Sequence, residues 1–310
     1  MAGQISSAWK ARTGAYRADA EGGSEQAITQ KKVACFGRVR GFIWGKMSKY
    51  NLILGDSSEQ IKNIADRSID LILTDPPYNL GRYSTGNIKM SWRKDFNNDV
   101  AKWDTTIFNP AEWLDEFKRI LKPTSTIFAF TSYNLIGQWH QVFDPVFDTF
   151  QFIVWHKTNP PPKLRRAGFL NSCELIVCVW NKGHTWNFTK QKDMHNFIES
   201  PICMGRERLK HPVHPTQKPI KVLSRLVKLA TNPGDLVLDP FMGVGSSGVA
   251  ALQLDRRFTG IEIDPVYFRA AEKRIEAATF TPELFMSESE CTGSKKLDAN
   301  LPKRSQSMGG

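Results

Sequence analysis

A rhythm constrains this chain more than any single residue does. Between residues 50 and 277, short apolar runs alternate with amphipathic stretches. The runs are Tyr50–Leu54, Ile69–Leu73, Thr126–Phe130, Phe150–Trp155, Leu175–Trp180, Leu236–Leu238 and Phe258–Ile263. A short continuous apolar run suits a parallel strand covered on both faces. Ser58–Ile64, Pro110–Leu121, Tyr133–Phe143, Lys218–Ala230, Ser246–Leu254 and Pro265–Ala277 read as helices. Pro110 suits a first helical turn. Strands separated by helical crossovers predict an α/β fold on an open, mostly parallel sheet. At 310 residues the chain is long enough for one large domain or two small ones.

The flanks lack this pattern. Residues 1–46 are rich in Gly, Ser, Ala, Lys and Arg and read as a disordered or extension segment, with patterning from Met47 onward. Residues 283–310 read as a polar, disordered tail. Residues 79–106 form a long polar stretch with scattered aromatics, and a loop of that length is functional or mobile more often than structural. With 41% hydrophobic residues, no membrane-length apolar run and no secretory pattern, the chain reads as a cytoplasmic globular protein. Its five cysteines, Cys35, Cys173, Cys178, Cys203 and Cys291, show neither CxxC nor zinc-ligand spacing, so reduced thiols and no metal are expected. The formal charge is +11. Residues 156–225 hold 13 Lys/Arg against 4 Asp/Glu, a net +9, which suggests a polyanionic partner.

Two motifs carry chemistry. The first is Asp239-Pro240-Phe241-Met242-Gly243-Val244-Gly245-Ser246-Ser247-Gly248, a GxGxxG loop between a strand and a helix. Glycines there permit a tight turn and close approach of a ligand to backbone N–H groups. A lone GxGxxG also serves NAD enzymes. However, Asp239 would repel a pyrophosphate and would suit a cationic amino-acid ligand. Glu262, ending the next strand, can accept from two ribose hydroxyls.

The second motif is Asp75-Pro76-Pro77-Tyr78, directly after Leu71–Thr74. Open α/β sheets bind ligands at such C-terminal strand ends. Two prolines fix φ and remove two donors, leaving a stiff segment of acceptors. An exocyclic amino group on a base is a poor nucleophile, because its lone pair is conjugated into the ring. The Asp75 carboxylate and the Pro76 carbonyl can each take one N–H, which frees that lone pair. Tyr78 can stack on the base, which must first leave the duplex.

In these residues the chain resembles the DNA amino-methyltransferases that modify adenine N6 or cytosine N4. Asp75–Tyr78 matches the family's catalytic motif, and Asp239–Gly245 its cofactor loop. His214-Pro215-Thr216-Gln217-Lys218-Pro219 resembles the segment placed against the cofactor. Gly260–Asp264 matches the acidic strand end, and Gly55-Asp56-Ser57 the adenine-side turn. The match runs from about Tyr50 to Ala277, with the catalytic motif before the cofactor loop, the order of the β group. The resemblance implies a seven-stranded, circularly permuted, Rossmann-like methyltransferase sheet over residues 47–282, with S-adenosylmethionine as cofactor. It places Asp56 against the cofactor's adenine and Glu262 against its ribose. Asp239, Phe241, Gly243 and Gly245 go to the methionine part, and Thr216, Gln217, Lys218 and Pro219 against the cofactor. Asp in the first catalytic position is the more usual choice for adenine.

The resemblance also makes residues 181–212 a target-recognition segment for DNA. Lys163, Arg165, Arg166, Arg206, Arg208 and Lys210 are the expected phosphate contacts. The segment is short, which points to a homodimer or to recognition shared with residues 79–106; a cognate restriction endonuclease stands as a further partner. Three rivals remain open at this point: a cytosine-N4 methyltransferase, an NAD-dependent oxidoreductase and a non-catalytic DNA-binding protein.

Overall fold

The computed structural model describes residues 48–78, 108–162 and 168–280. The readings of residues 1–46, 79–106 and 283–310, and of Lys163, Arg165 and Arg166, lie outside the described residues. Among the described residues eight strands form one sheet: β1 (Tyr50–Leu54), β2 (Ile69–Thr74), β3 (Leu121–Thr131), β4 (Thr149–Lys157), β5 (Cys173–Trp180), β6 (Phe197–Ser200), β7 (Leu236–Asp239) and β8 (Arg257–Glu262). Their order is β1-β8-β7-β2-β3-β5-β4-β6. All run parallel except β5, which pairs antiparallel with both β3 and β4. The helices are α1 (Ser57–Gln60), α2 (Leu114–Ile120), α3 (Ile136–Phe143), α4 (Ile220–Ala230), α5 (Ser246–Gln253) and α6 (Pro265–Phe280). No helix among the described residues is long and apolar enough to cross a membrane.

Three readings change. Ser58–Ile64, predicted as one helix, is α1 followed by a 3₁₀ turn over Ile61–Asn63. The expected seven strands are joined by an eighth, β6, inside a segment that looked irregular. Its four residues are exposed and buried in alternation, too short a pattern to signal a strand alone. Pairing to β4 holds it in place, and Trp155 Nε1 donates to Ser200 Oγ at 2.8 Å. The predicted helix over 110–121 is divided. Pro110–Glu112 form a 3₁₀ turn capped by the Asn109 side chain, α2 follows, and Leu121 already belongs to β3.

The sheet has a core on each face, which is why its central strands read as unbroken apolar runs. Leu71, Leu73, Phe128, Phe130 and Val237 pack with α4, α5 and α6 on one face. Ile69, Ile72, Ile127, Ala129 and Leu238 pack with α2 and α3 on the other. In β2 the alternation breaks between Ile69 and Leu71, where the pairing with β3 also shifts register. Asp70, at the shift, accepts from Lys122 Nζ and from the Leu236 amide. From β7 the chain crosses by α5 on one face, and from β2 by α2 on the other. A crevice therefore opens between β2 and β7, at the C-terminal ends of both strands.

Candidate active site

The crevice contains a cavity of about 440 Å³. Leu71 and Ile72 pair with Val237 and Leu238, so the ends of β2 and β7 reach it together. Thr74 Oγ1 donates to Asp239 Oδ1 at 2.9 Å, joining the residue before Asp75 to the first residue of the glycine loop. Asp56, Asp75, Pro77, Thr216, Gln217, Lys218, Asp239, Phe241, Gly243 and Glu262, all singled out in the sequence, line this one space. Pro76, Tyr78, Pro219 and Gly245 do not. Among the described lining residues five are acidic (Asp56, Asp75, Glu112, Asp239 and Glu262), and Lys218 alone is Lys or Arg.

Asp239 is 4% exposed, and its acceptors are used to brace its own loop. Oδ1 also accepts from the Phe241 amide at 3.0 Å, and Oδ2 from Ser247 Oγ at 2.5 Å. Burial pushes its carboxyl up to about 7, against the three hydrogen bonds. Gly243 sits at φ 54°, and a Cβ there would meet His214 Nε2 at 3.0 Å, so glycine is required by both the backbone and the neighbour. Glu262 folds back onto the loop. Its Oε2 accepts from the Gly243 amide and its Oε1 from the Asp264 amide, both at 2.8 Å. Burial raises its pKa.

The third glycine of the motif acts by packing. A Cβ on Gly248 would come within 2.6 Å of Ile275 and 2.7 Å of the Phe258 ring. That closeness lets α5 lie against the sheet and α6. Asp56 N-caps α1 through Oδ1, and Ser57 Oγ donates to the Pro240 carbonyl, tying this turn to the loop. Phe108, Trp113 and Phe241 form an aromatic wall, with Trp113 and Phe241 at a 4.9 Å centroid separation.

The residues of the second group that resembled a cofactor segment do more than one job. Gln217 bridges the chain before α4, donating to the Glu207 carbonyl at 2.8 Å and accepting from the Leu209 amide at 3.0 Å. Pro219 is the N-cap of α4, and Glu207 accepts from the Ile220 amide in place of a local cap. His214 packs on Tyr267, and burial lowers its pKa to about 4, so it is neutral at pH 7. Lys218, expected against the cofactor, lies 2.5 Å from Asp75 Oδ2.

That contact opens a buried charge cluster the sequence reading missed. Lys218 Nζ is 3.4 Å from Glu174 Oε2, and Glu174 Oε1 is 2.7 Å from Lys157 Nζ. Tyr78 Oη donates to Asp75 Oδ1 at 2.6 Å and lies 3.2 Å from Glu174. The Tyr78 ring, expected to stack on a base, is buried, with the Lys218 ammonium 5.2 Å from its centroid. Burial pushes the Asp75 carboxyl above its usual range, opposed by Lys218. For Glu174 the two lysines outweigh burial and lower its pKa. For Lys218 the two carboxylates outweigh burial and raise it. Two carboxylates and two ammonium groups balance. One signal could have exposed the cluster: Glu174 is a lone carboxylate in the apolar run Cys173–Trp180, and such a group needs a partner.

The expected DNA contacts within the described residues lie apart from this cluster in sequence. Arg206 and Lys210 are exposed and Arg208 is half-buried.

Comparison with known proteins agrees with the motifs. A family model for N6/N4 methyltransferases, described as DNA methylase, matches residues 69–273. The Type II methyltransferase M.HinfI of Haemophilus influenzae is 33% identical over 249 residues, 72% of this chain and 67% of that protein. The Type II methyltransferase M2.DpnII of Streptococcus pneumoniae is 32% identical over 251 residues, 76% of this chain and 92% of that one. Among solved structures, an M1.HpyAVI–SAM complex aligns with a TM-score of 0.55 and 28% identity, covering 73% of this chain and 98% of its own. The cytosine-N4-specific PvuII DNA methyltransferase shares the fold, with a TM-score of 0.52 and 18% identity over 75% of this chain and 91% of its own.

Proposed function

The chain belongs to the N6/N4 DNA methylase family, and from that premise we propose that it transfers a methyl group from S-adenosylmethionine to the N6 amino group of adenine in DNA, as the modification enzyme of a Type II system. The observation that carries this reading is the shared cavity. Asp75 opens onto the same acidic space as the glycine loop and Glu262. A cofactor with a sulfonium and an ammonium group fits a lining of five acidic residues against one lysine, whereas the pyrophosphate of NAD would meet repulsion there. About 440 Å³ also lies within the usual range for a cofactor-sized site.

Glu262 would hold the ribose, because each of its oxygens keeps a lone pair beyond the amide bond it already accepts. Asp56 and the wall of Phe108, Trp113 and Phe241 would hold the adenine. Asp239, Thr216 and the Gly243 backbone would hold the methionine part. S-adenosylmethionine, when bound, supplies an electrophilic methyl group. The chain's own part is to present the nucleophile. Asp75 and the Pro76 carbonyl accept the two N–H bonds of the amino group, and the nitrogen lone pair turns toward the cofactor side of the cavity. Most of the rate then comes from positioning. Tyr78 contributes its hydroxyl, which fixes the Asp75 carboxylate. The base is flipped out of the duplex to reach this pocket. Residues 181–212 select the sequence, and Arg206, Arg208 and Lys210, with Lys163, Arg165 and Arg166, contact phosphates. Adenine over cytosine rests on Asp in the first position of the catalytic motif.

Duplex DNA incubated with methyl-labelled S-adenosylmethionine tests this reading. Wild-type protein should label DNA, and Asp75→Ala should cut turnover by about 100-fold or more while binding the cofactor normally in calorimetry. Undiminished turnover in Asp75→Ala would remove Asp75 from the chemistry.

A further inference from the structure

Glu174 neither lines the cavity nor belongs to the motifs singled out in the sequence, yet it contacts both groups that hold Asp75. Its Oε2 lies 3.2 Å from Tyr78 Oη and 3.4 Å from Lys218 Nζ. Tyr78 holds one Asp75 oxygen and Lys218 the other. On its far side Glu174 is paired with Lys157 at the end of β4. The two lysines come from separate parts of the chain, Lys157 from the end of β4 and Lys218 from just before α4, and the fold brings them to one carboxylate. β5 is antiparallel to its neighbours, so its first residues lie beside the C-terminal ends of β3 and β4. This reversal alone delivers Glu174 to the catalytic end of the sheet.

We propose that Glu174 is a positioning residue for methyl transfer: with Lys157 behind it, it anchors the Tyr78 hydroxyl and the Lys218 ammonium, which together fix the plane of the Asp75 carboxylate. This rests on the reading of Asp75 as the acceptor for the amino group. The geometry gives it a purpose. A carboxylate oxygen accepts along two lone-pair directions. With one direction on each oxygen taken by Lys218 and Tyr78, the remaining directions are fixed in space, and an amino group is met by a preset acceptor. Without Glu174, Lys218 and Tyr78 lose their common anchor, and Asp75 can rotate about its side-chain bonds. Misplacement of a reacting group by about 1 Å can cost roughly 100-fold in rate. Lys157 completes the device, because an unpaired Glu174 would draw Lys218 away from Asp75.

The titratable groups around Asp75 come from every neighbouring element. They are Tyr78 after β2, Lys157 on β4, Glu174 on β5, Lys218 before α4, Asp239 across the crevice and the neutral His214 beside Lys218. Glu174 raises the Asp75 pKa and Lys218 lowers it. Glu174→Gln should therefore shift the acid limb of the pH–rate profile to lower pH. Lys157→Gln should shift it the other way, since Lys218 then moves toward Glu174 and leaves Asp75 less stabilised.

The test measures kcat, KM for S-adenosylmethionine and the pH–rate profile of the full chain on duplex DNA, with both variants checked for folding by thermal melting. Each variant should lose about 10- to 100-fold in kcat. KM for the cofactor should stay within about twofold, because positioning of Asp75 acts on the chemical step rather than on cofactor binding and Glu174 and Lys157 do not line the cavity. The acid limbs should move in opposite directions. Lys157 joins the cluster through Glu174 and not through Asp75, so Lys157→Gln carries the test even if Glu174→Gln does not fold. Wild-type kcat, or a loss of kcat with an unmoved acid limb, overturns the positioning role and leaves the methyltransferase reading intact. A wild-type protein that labels no DNA overturns both.

Discussion

Changing Asp239 to Asn should stabilise the protein at alkaline pH while weakening the cofactor site. The carboxyl titrates near 7 in the folded protein against an ordinary 3.8, because burial opposes its charge. A raised carboxyl pKa means that the folded state keeps a proton the unfolded state has released. The stabilisation this gives is complete below pH 3.8 and is lost as pH rises through about 7. At 1.36 kcal/mol per pH unit, the loss by pH 8 is about 4 kcal/mol, an order-of-magnitude figure. Asparagine carries no charge. Its amide oxygen can still accept from Thr74 Oγ1 and the Phe241 amide, while Ser247 loses its acceptor, at a cost of about 1–3 kcal/mol. Asp239→Asn should therefore be more stable than wild type by about 1–3 kcal/mol at pH 8, and no more stable at pH 5. In a domain of this size that is a Tm rise of about 2–10 °C at pH 8. Calorimetric melting at both pH values measures it. The same variant should lose most of the Tm gain that S-adenosylmethionine gives the wild type. A Tm change of the same sign and size at pH 5 and pH 8 would show that the Asp239 charge is not the source.

Gly248→Ala should lower stability by about 1–3 kcal/mol, because Ile275 can turn aside but the buried Phe258 ring cannot; equilibrium unfolding in urea checks this, and an unchanged midpoint would show that α5 has room to move. Changing Arg206, Arg208 and Lys210 together to alanine should flatten the dependence of log affinity on log salt by about 2–3, measured by DNA-binding anisotropy across salt concentrations. An unchanged slope would mean that these side chains face away from DNA.

Much of the sheet was legible because its central strands are buried on both faces and read as apolar runs. Ile69–Leu73 and Thr126–Phe130 needed no tertiary information. β6 did, since four residues with two buried positions have no periodicity of their own and exist through pairing with β4. The helix over 110–121 was overextended because Leu121 fits either a helix face or a strand start; pairing of Ile69 with Leu121 decides it. Within the site, contiguous motifs were visible and non-local contacts were not. Asp75 and Asp239 stood out by their sequence neighbours, whereas the Thr74–Asp239 bond that unites them spans 165 positions. Lys218 was seen as part of a cofactor segment, but its partners, Asp75 just after β2 and Glu174 on β5, are distant in the sequence. Tyr78 shows the same limit: the sequence gives an aromatic ring suited to stacking, and only the packing shows that ring covered and its hydroxyl aimed at Asp75.

The most direct measurement is mass spectrometry of nucleosides digested from varied duplex DNA after incubation with the wild-type protein and methyl-labelled S-adenosylmethionine. Label in N6-methyladenine is expected. Label in N4-methylcytosine would contradict the choice of base drawn from Asp75, and no labelled nucleoside at all would contradict methyl transfer to DNA by this site.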